Sequence, residues 1–312
     1  MTASFTDLVD LASERLGSAA IEANDEFFAP KENLIKPASP VWREGEYTER
    51  GKWMDGWETR RRRDDGDHDW CVIRLGVTGV VRGLDVDTAF FKGNFPEACA
   101  IDAGDGTQWR CVLDRTALKG DSHNLIAIED APPATHLRLR IFPDGGVARL
   151  RVYGEVVPDW SRLRLRGDVD LGAVEHGGLV VDCSDMFFGS RHNLIMPGDA
   201  THMGDGWETK RSRGGGRERH DWSVIRLGAA GTIRRVEVDT RHFKGNAPGA
   251  CSLEASAERE HWRELLPKTP LQPHARHTFE DQVHPIADVA YVRFNIFPDG
   301  GVGRLRLYGR PK

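Results

Sequence analysis

Three short polar blocks hold the residues best suited to chemistry, and each block occurs twice in the chain. The first is Trp57, Glu58 and Thr59 followed by Arg61 and Arg63, matched by Trp207, Glu208 and Thr209 with Arg211 and Arg213. Arginine presents a planar fork that pairs bidentately with a carboxylate, so this block could hold an anionic ligand beside an acid–base group. It could equally be a Glu–Arg pair pinning a loop, with the tryptophan filling the core. The second block is His68-Asp69-Trp70, matched by His220-Asp221-Trp222. Imidazole titrates near neutrality, and a neighbouring carboxylate can set its tautomer. Adjacent residues on a strand point to opposite faces, however, so the aspartate could instead cap a turn. The third block is Lys92-Gly93-Asn94, matched by Lys244-Gly245-Asn246. Glycine between two polar residues allows a tight turn that exposes an amine and an amide, which suit a ureido or carboxylate ligand; a plain turn with a solvated lysine is the alternative. Glu97 follows the third block where the second copy has Gly249, so any chemistry needing Glu97 would be confined to the first copy. His123 and His277 are looser matches. The spacings of metalloprotease, paired-cysteine zinc, serine-elbow and phosphate-loop motifs do not occur, so spacing makes no case for a metal or a cofactor.

These blocks recur because the chain is duplicated. Residues 54–94 reappear at 203–246, and IFPDGGVARLRVYG from Ile141 returns as IFPDGGVGRLRLYG from Ile296. A period of this length is a whole domain, so the sequence predicts a tandem pair: a first domain over 21–156 and a second over 171–312. Residues 1–20 are expected to form a helical segment outside the repeat, because Leu8, Leu11, Ala12 and Leu16 share one helical face before Gly17. Residues 157–170 read as a linker. Within each copy the signal is β. Leu137, Leu139 and Ile141 alternate with Arg138 and Arg140, and the alternation resumes at Leu150 and Val152 beyond an Asp-Gly turn, which predicts a hairpin. With 34 glycines and 16 prolines, many short strands and no helices between them, the fold class is all-β, two tandem jelly-roll sandwiches.

Composition narrows the function. The chain has 312 residues, 39% hydrophobic and 29% charged, with a formal net charge of -5. That balance argues against nucleic-acid phosphates as a partner. No apolar run suits a bilayer span or a secretory leader, so no membrane partner is expected. Five cysteines without paired spacing favour reduced structural thiols and a cytoplasmic protein.

The repeated GWETRRRR and GWETKRSR, the two HDWxVIRLG segments, DVDTxxFKGN with EVDTxxFKGN, and both PDGGVxRLRxYG stretches resemble allantoicase, the allantoate-hydrolysing family of purine breakdown. The resemblance covers nearly the whole chain. It implies paired jelly-roll domains and hydrolysis of allantoate to urea and (S)-ureidoglycolate in allantoin degradation. Allantoate carries one carboxylate and two ureido groups on one carbon, so its site needs a cationic clamp, amide partners and an acid–base pair. On that basis Arg61, with Lys92 in support, is expected to bind the carboxylate and Asn94 to read a ureido group. Glu58 and His68 are then expected to share proton transfer, with Asp69 orienting. Arg211, Lys244, Asn246, Glu208, His220 and Asp221 are the second-copy counterparts. A tandem jelly-roll module that binds a carbohydrate or other small ligand without catalysis is the competing expectation. Exposed sandwich edges make a homo-oligomer the expected assembly.

Overall fold

The computed structural model describes residues 5–212 and 219–312, so Arg213 lies outside the described residues. The chain divides into two compact units, Met1–Val157 and Pro158–Lys312. In the first, a single long strand, Asp69–Asp87, organises everything else. Its first half pairs with Pro133–Phe142 from Asp69↔Ile141 to Arg74↔His136, and on its other edge with Ala19–Ala23. Its second half pairs with Arg149–Val156 from Gly79↔Val156 to Asp87↔Arg149, and with His123–Ala127. The register breaks between Ala134 and His136, where the strand bends from one layer into the other. A strand that switches layers at such a bend makes a sandwich corner. Ala98–Gly104 and Trp109–Ala117 extend the first layer. The second unit repeats the plan around Asp221–Asp239, with Val289–Phe297, Arg304–Pro311, Leu179–Cys183 and Arg276–Phe279 as its neighbours. Both units are therefore the two-layer β-sandwiches expected.

The period-two pattern sorts the faces. Leu137, Leu139 and Ile141 are fully buried. Arg138 and Arg140 point away and both donate to the Asp102 carboxylate, at 2.9 and 3.0 Å. Five thiols are free, and burial pushes those of Cys99 and Cys251 up to about 12, which fits packing rather than reactivity. No helix among the described residues is long and apolar enough to cross a membrane.

Two expectations need correction. The strands flanking the Pro-Asp-Gly-Gly turns do not pair with each other: Pro133–Phe142 and Arg149–Val156 both pair with the common strand Asp69–Asp87. Alternation on both sides of a turn fits that crossover as well as a hairpin. The stretch around Thr6–Leu16 is not an α-helix but two short 3-10 turns, Phe5–Asp7 and Glu14–Leu16, flanking the strand Val9–Asp10. The Asp10 carboxylate accepts from the backbone N–H of Ala12 at 3.2 Å and of Val152 at 2.9 Å, which replaces helical bonding with a tie to the sheet. Val9 and Asp10 pair with Gly154 and Tyr153, so this stretch is an edge of the first sandwich. In the 157–170 region a four-residue helix, Trp160–Leu163, precedes Val169–Asp170, which pairs with Gly309 and Tyr308 in the same manner.

Candidate active site

Trp57 fixes the position of Glu58. The indole is fully buried and its Nε1–H donates to the Asp25 carbonyl at 2.8 Å. In the two-residue strand Trp57–Glu58 the next side chain must face the other way. One edge of this strand pairs with Gly146 and Val147; on the other, Glu58 N–H donates to the Ala29 carbonyl at 3.2 Å. The crossing loop locks Glu58 to the Lys92-Gly93-Asn94 turn. Thr59 N–H donates to the Gly145 carbonyl at 3.1 Å, while Gly146 N–H donates to the Asn94 carbonyl at 2.8 Å. Gly145 has φ 137°, and a Cβ there would lie 2.7 Å from the Asn94 carbonyl oxygen, so glycine is required for this close approach.

The result is a direct bond between two of the sequence candidates: Asn94 Nδ2 donates to Glu58 Oε1 at 2.7 Å. Glu58 is only 9% exposed. Burial pushes its carboxyl above the ordinary glutamate range, against the opposing pull of the Asn94 hydrogen bond. A carboxyl that holds its proton more tightly than usual is suited to general-acid work. Two clefts meet at the pair. One, of about 510 Å³, is walled by Phe28, Trp42, Met54 and Phe90, with Lys52 and Lys92 among its lining residues. The other, of about 740 Å³, is lined by Arg61, Arg63, Glu97 and Asp144 as well as by Glu58 and Asn94.

The remaining sequence candidates fall differently. Arg61 lines the second cleft, is exposed, and has no hydrogen-bond or ion-pair partner among the described residues. Lys92 is 78% exposed and stands 3.8 Å from the Asp121 carboxylate. His68 and Asp69 line neither cleft. The His68 ring meets Asp67, Nδ1 to Oδ1 at 2.5 Å, and packs on Phe142. Asp69 is buried, pairs with Arg62, and accepts from Asn24 Nδ2 at 2.6 Å. The two neighbours thus turn to different partners, as strand alternation requires, and Asp69 does not orient His68. Trp42, Lys52 and Phe90 were missed because no like residue stands at a matching position in the second copy, where His242 takes the place of Phe90; Met54, matched by Met203, was missed because an apolar side chain carries no signal of chemistry.

In the second unit the central pair recurs. Asn246 Nδ2 donates to Glu208 Oε1 at 2.6 Å, and Gly301 N–H donates to the Asn246 carbonyl at 2.8 Å. Glu208 is half-buried, and Arg211 and Lys244 are exposed. His220 packs on Phe297, while Asp221 accepts from the Ser184 hydroxyl at 2.9 Å. Among the described residues one group has metal-ligating atoms close together, Glu258, Glu260 and His261; it is exposed and belongs to neither pair.

The model of the allantoicase repeat matches residues 9–157 and again 169–312. A probable allantoicase of Pseudomonas paraeruginosa is 49% identical over 329 residues, covering 99% of this chain and 98% of that protein. One from Photobacterium profundum is 46% identical, covering 98% and 97%. The crystal structure of allantoicase from Saccharomyces cerevisiae superposes with a TM-score of 0.83 at 36% identity, covering 96% of this chain and 92% of that one. With both repeats matched in order and the sandwiches superposed along almost their whole length, the chain belongs to the allantoicase family.

Proposed function

We propose that the chain hydrolyses allantoate to (S)-ureidoglycolate and urea, and that the reaction runs at the Glu58–Asn94 pair of the first unit. The observation carrying this reading is the buried Glu58 carboxyl, pushed up by desolvation and held by Asn94, between two clefts that both offer cations. Glu58 gives its proton to the nitrogen of the departing ureido group as the C–N bond breaks, so neutral urea leaves with the bonding pair. The lone pair of the remaining ureido nitrogen supplies electrons to the carbon. Water then adds there and returns a proton to Glu58, leaving the hydroxyl of ureidoglycolate. Asn94 keeps Glu58 aligned and presents its amide to a ureido group; Lys92 and Arg61 place positive charge on opposite sides of the pair, which favours an anionic substrate.

His68 and Asp69 receive no proton-transfer role in this reading, because His68 lines neither cleft and Asp69 is committed to Arg62 and Asn24. The free thiols support a reducing, cytoplasmic setting. The net charge of -5 supports a small-molecule substrate over a nucleic acid, and the sandwich edges support a homo-oligomer, which sedimentation would read directly. The test of the reaction is urea release from allantoate, with ureidoglycolate or its breakdown product glyoxylate followed in parallel. Equal amounts of urea and ureidoglycolate are expected. Folded protein that binds allantoate without releasing urea would return the chain to the ligand-binding alternative.

A further inference from the structure

One wall of the aromatic cleft comes from chain that the second unit lacks. Arg149, 2% exposed, clamps two backbone points: its Nε donates to the Ala38 carbonyl at 2.9 Å and its Nη1 to the Asp55 carbonyl at 3.0 Å. In the second unit Arg304 clamps Gly198 at 3.1 Å and Asp205 at 2.7 Å in the same way. Sixteen residues lie between the clamped points in the first unit and six in the second. The extra length makes the small hairpin Tyr47–Thr48 with Gly51–Lys52 and brings Trp42 and Lys52 to the cleft that Glu58 lines. Lys52 Nζ sits 3.7 Å from the centroid of the Trp42 ring, and that ring leans on Phe90 with centroids 5.7 Å apart.

We infer that Lys52, held over Trp42 on this insertion, is the specificity-determining cation that receives the carboxylate of the substrate. The inference rests on the assignment of allantoate hydrolysis to the Glu58 cleft. Six basic side chains line the two clefts at the Glu58–Asn94 pair, and they are not equivalent: Arg60 and Arg62 are paired with Asp25 and Asp69, and Arg63, like Arg61, is exposed. Lys92 is 78% exposed and shares its charge with Asp121. Arg61 is exposed in the other, wider cleft. Lys52 is half-buried, and among the described residues no carboxylate lies within ion-pair distance of it. A cation with less water around it and no resident counter-ion attracts an incoming carboxylate more strongly. The indole face fixes the ammonium in place without neutralising it, so less ordering remains to be done when the anion arrives. The same insertion explains why duplicated Glu–Asn pairs need not mean duplicated sites: nothing between Gly198 and Asp205 is a lysine or a tryptophan.

The experiment uses the full chain and two probes that each carry one ureido group, N-carbamoylglycine and its neutral primary amide, with binding read by calorimetry beside allantoate kinetics. In Lys52→Met the KM for allantoate and the dissociation constant of N-carbamoylglycine should both rise by about ten- to a hundredfold, as expected for a lost charge-assisted hydrogen bond. Binding of the amide should change by less than about threefold, and kcat should fall far less than KM rises. Lys52→Arg should restore most of the preference for the acid over the amide. Retention of wild-type KM and of that preference in Lys52→Met would overturn the inference. So would equal losses for acid and amide, which mean a collapsed wall, or wild-type protein that prefers neither probe. Failure of the reaction assignment looks different, since wild-type protein would then release no urea whatever its preference between the probes.

Discussion

Replacing Glu58 and Glu208 by glutamine, one at a time, separates a duplicated scaffold from a duplicated catalyst. Both carboxylates receive the same hydrogen bond, at 2.7 Å from Asn94 and 2.6 Å from Asn246. Glutamine keeps the oxygen that accepts this bond and keeps the side-chain shape, so neither substitution should disturb the turn that it joins. What Glu58→Gln removes is the transferable proton. Loss of a positioned general acid costs about a hundredfold to ten-thousandfold in rate, or roughly 2.7 to 5.4 kcal/mol of transition-state stabilisation at about 1.36 kcal/mol per tenfold. Because ground-state contacts survive, KM should move by less than about threefold while kcat carries the loss. Glu208 is half-buried, and its unit lacks the chain that brings Trp42 and Lys52 beside Glu58. Glu208→Gln should therefore leave kcat within about twofold of the parent protein. The assay is initial-rate urea release at saturating allantoate, per mole of chain, for both variants and the parent. Equal half-losses from the two variants would refute the single-site reasoning, and full activity in Glu58→Gln would refute the role given to Glu58.

Two further outcomes follow from burial. The Glu58 carboxyl titrates above the ordinary glutamate range because burial disfavours its charged form; folded protein thus holds this proton more tightly than unfolded protein does, and stability falls as pH rises through the folded value. Glu58→Gln should accordingly raise the melting temperature by about 2–4 °C per kcal/mol of relieved desolvation at pH 8 and leave it unchanged at pH 3.5, as scanning calorimetry would read; a gain that is the same at both pH values would contradict the burial argument. Arg149→Met leaves Asp55 buried beside an empty partner position, since their 2.8 Å ion pair is almost wholly shielded from water. It should cost about 3–5 kcal/mol in denaturant unfolding, and a loss below about 1 kcal/mol, the range of exposed pairs, would show that the clamp is not what holds the insertion.

Much of the architecture was legible because it is written twice. The alternation Leu137, Leu139, Ile141 against Arg138 and Arg140 identified a strand with one buried face, and the structure puts the arginines on Asp102 on the other. What alternation does not specify is the partner. The strands on both sides of Pro143-Asp144-Gly145-Gly146 suit a hairpin and suit a crossover equally, and long-range pairing with Asp69–Asp87 decided it. Thr6–Leu16 shows the opposite failure: its helical spacing was real, but Asp10 captured backbone N–H groups that a helix would have used. In the site, Glu58 and Asn94 were each visible as repeated polar residues, whereas their bond depends on a loop 50 residues further on, at Gly145 and Gly146. Trp42 and Lys52 left a different signal. Thirty-one residues separate Asp25 from Trp57, but twenty-one separate Asp185 from Trp207, and that gap in the internal match is where the cleft wall was.

The comparison of the two units also turns the meaning of repetition around. Residues that match between copies are those the sandwich needs to close: Trp57 and Trp207 in the core, Arg149 and Arg304 as clamps, and Gly145 and Gly300 where only a positive φ lets the crossing loop meet the asparagine turn. These place a carboxylate and an amide together at the same point of each unit. Residues that do not match determine what that carboxylate faces. Phe28 shows the difference: Gly51 of the inserted hairpin lies against its ring, with an ideal Cβ 3.5 Å away. Its counterpart Phe188 has no such cover and is 62% exposed beside Phe187 at 71%. An uncovered aromatic pair offers no enclosed wall, so water reaches the Glu208–Asn246 pair more freely and screens any charge that a substrate brings. In the proposed reading, chemistry in this chain thus follows the departure from the repeat. Transplanting residues 39–54 between Gly198 and Asp205, in place of the six residues there, should confer tighter binding of N-carbamoylglycine on a protein whose own first cleft is disabled by Lys52→Met, and no gain in that background would mean that the inserted chain, with its lysine and tryptophan, does not by itself make the site.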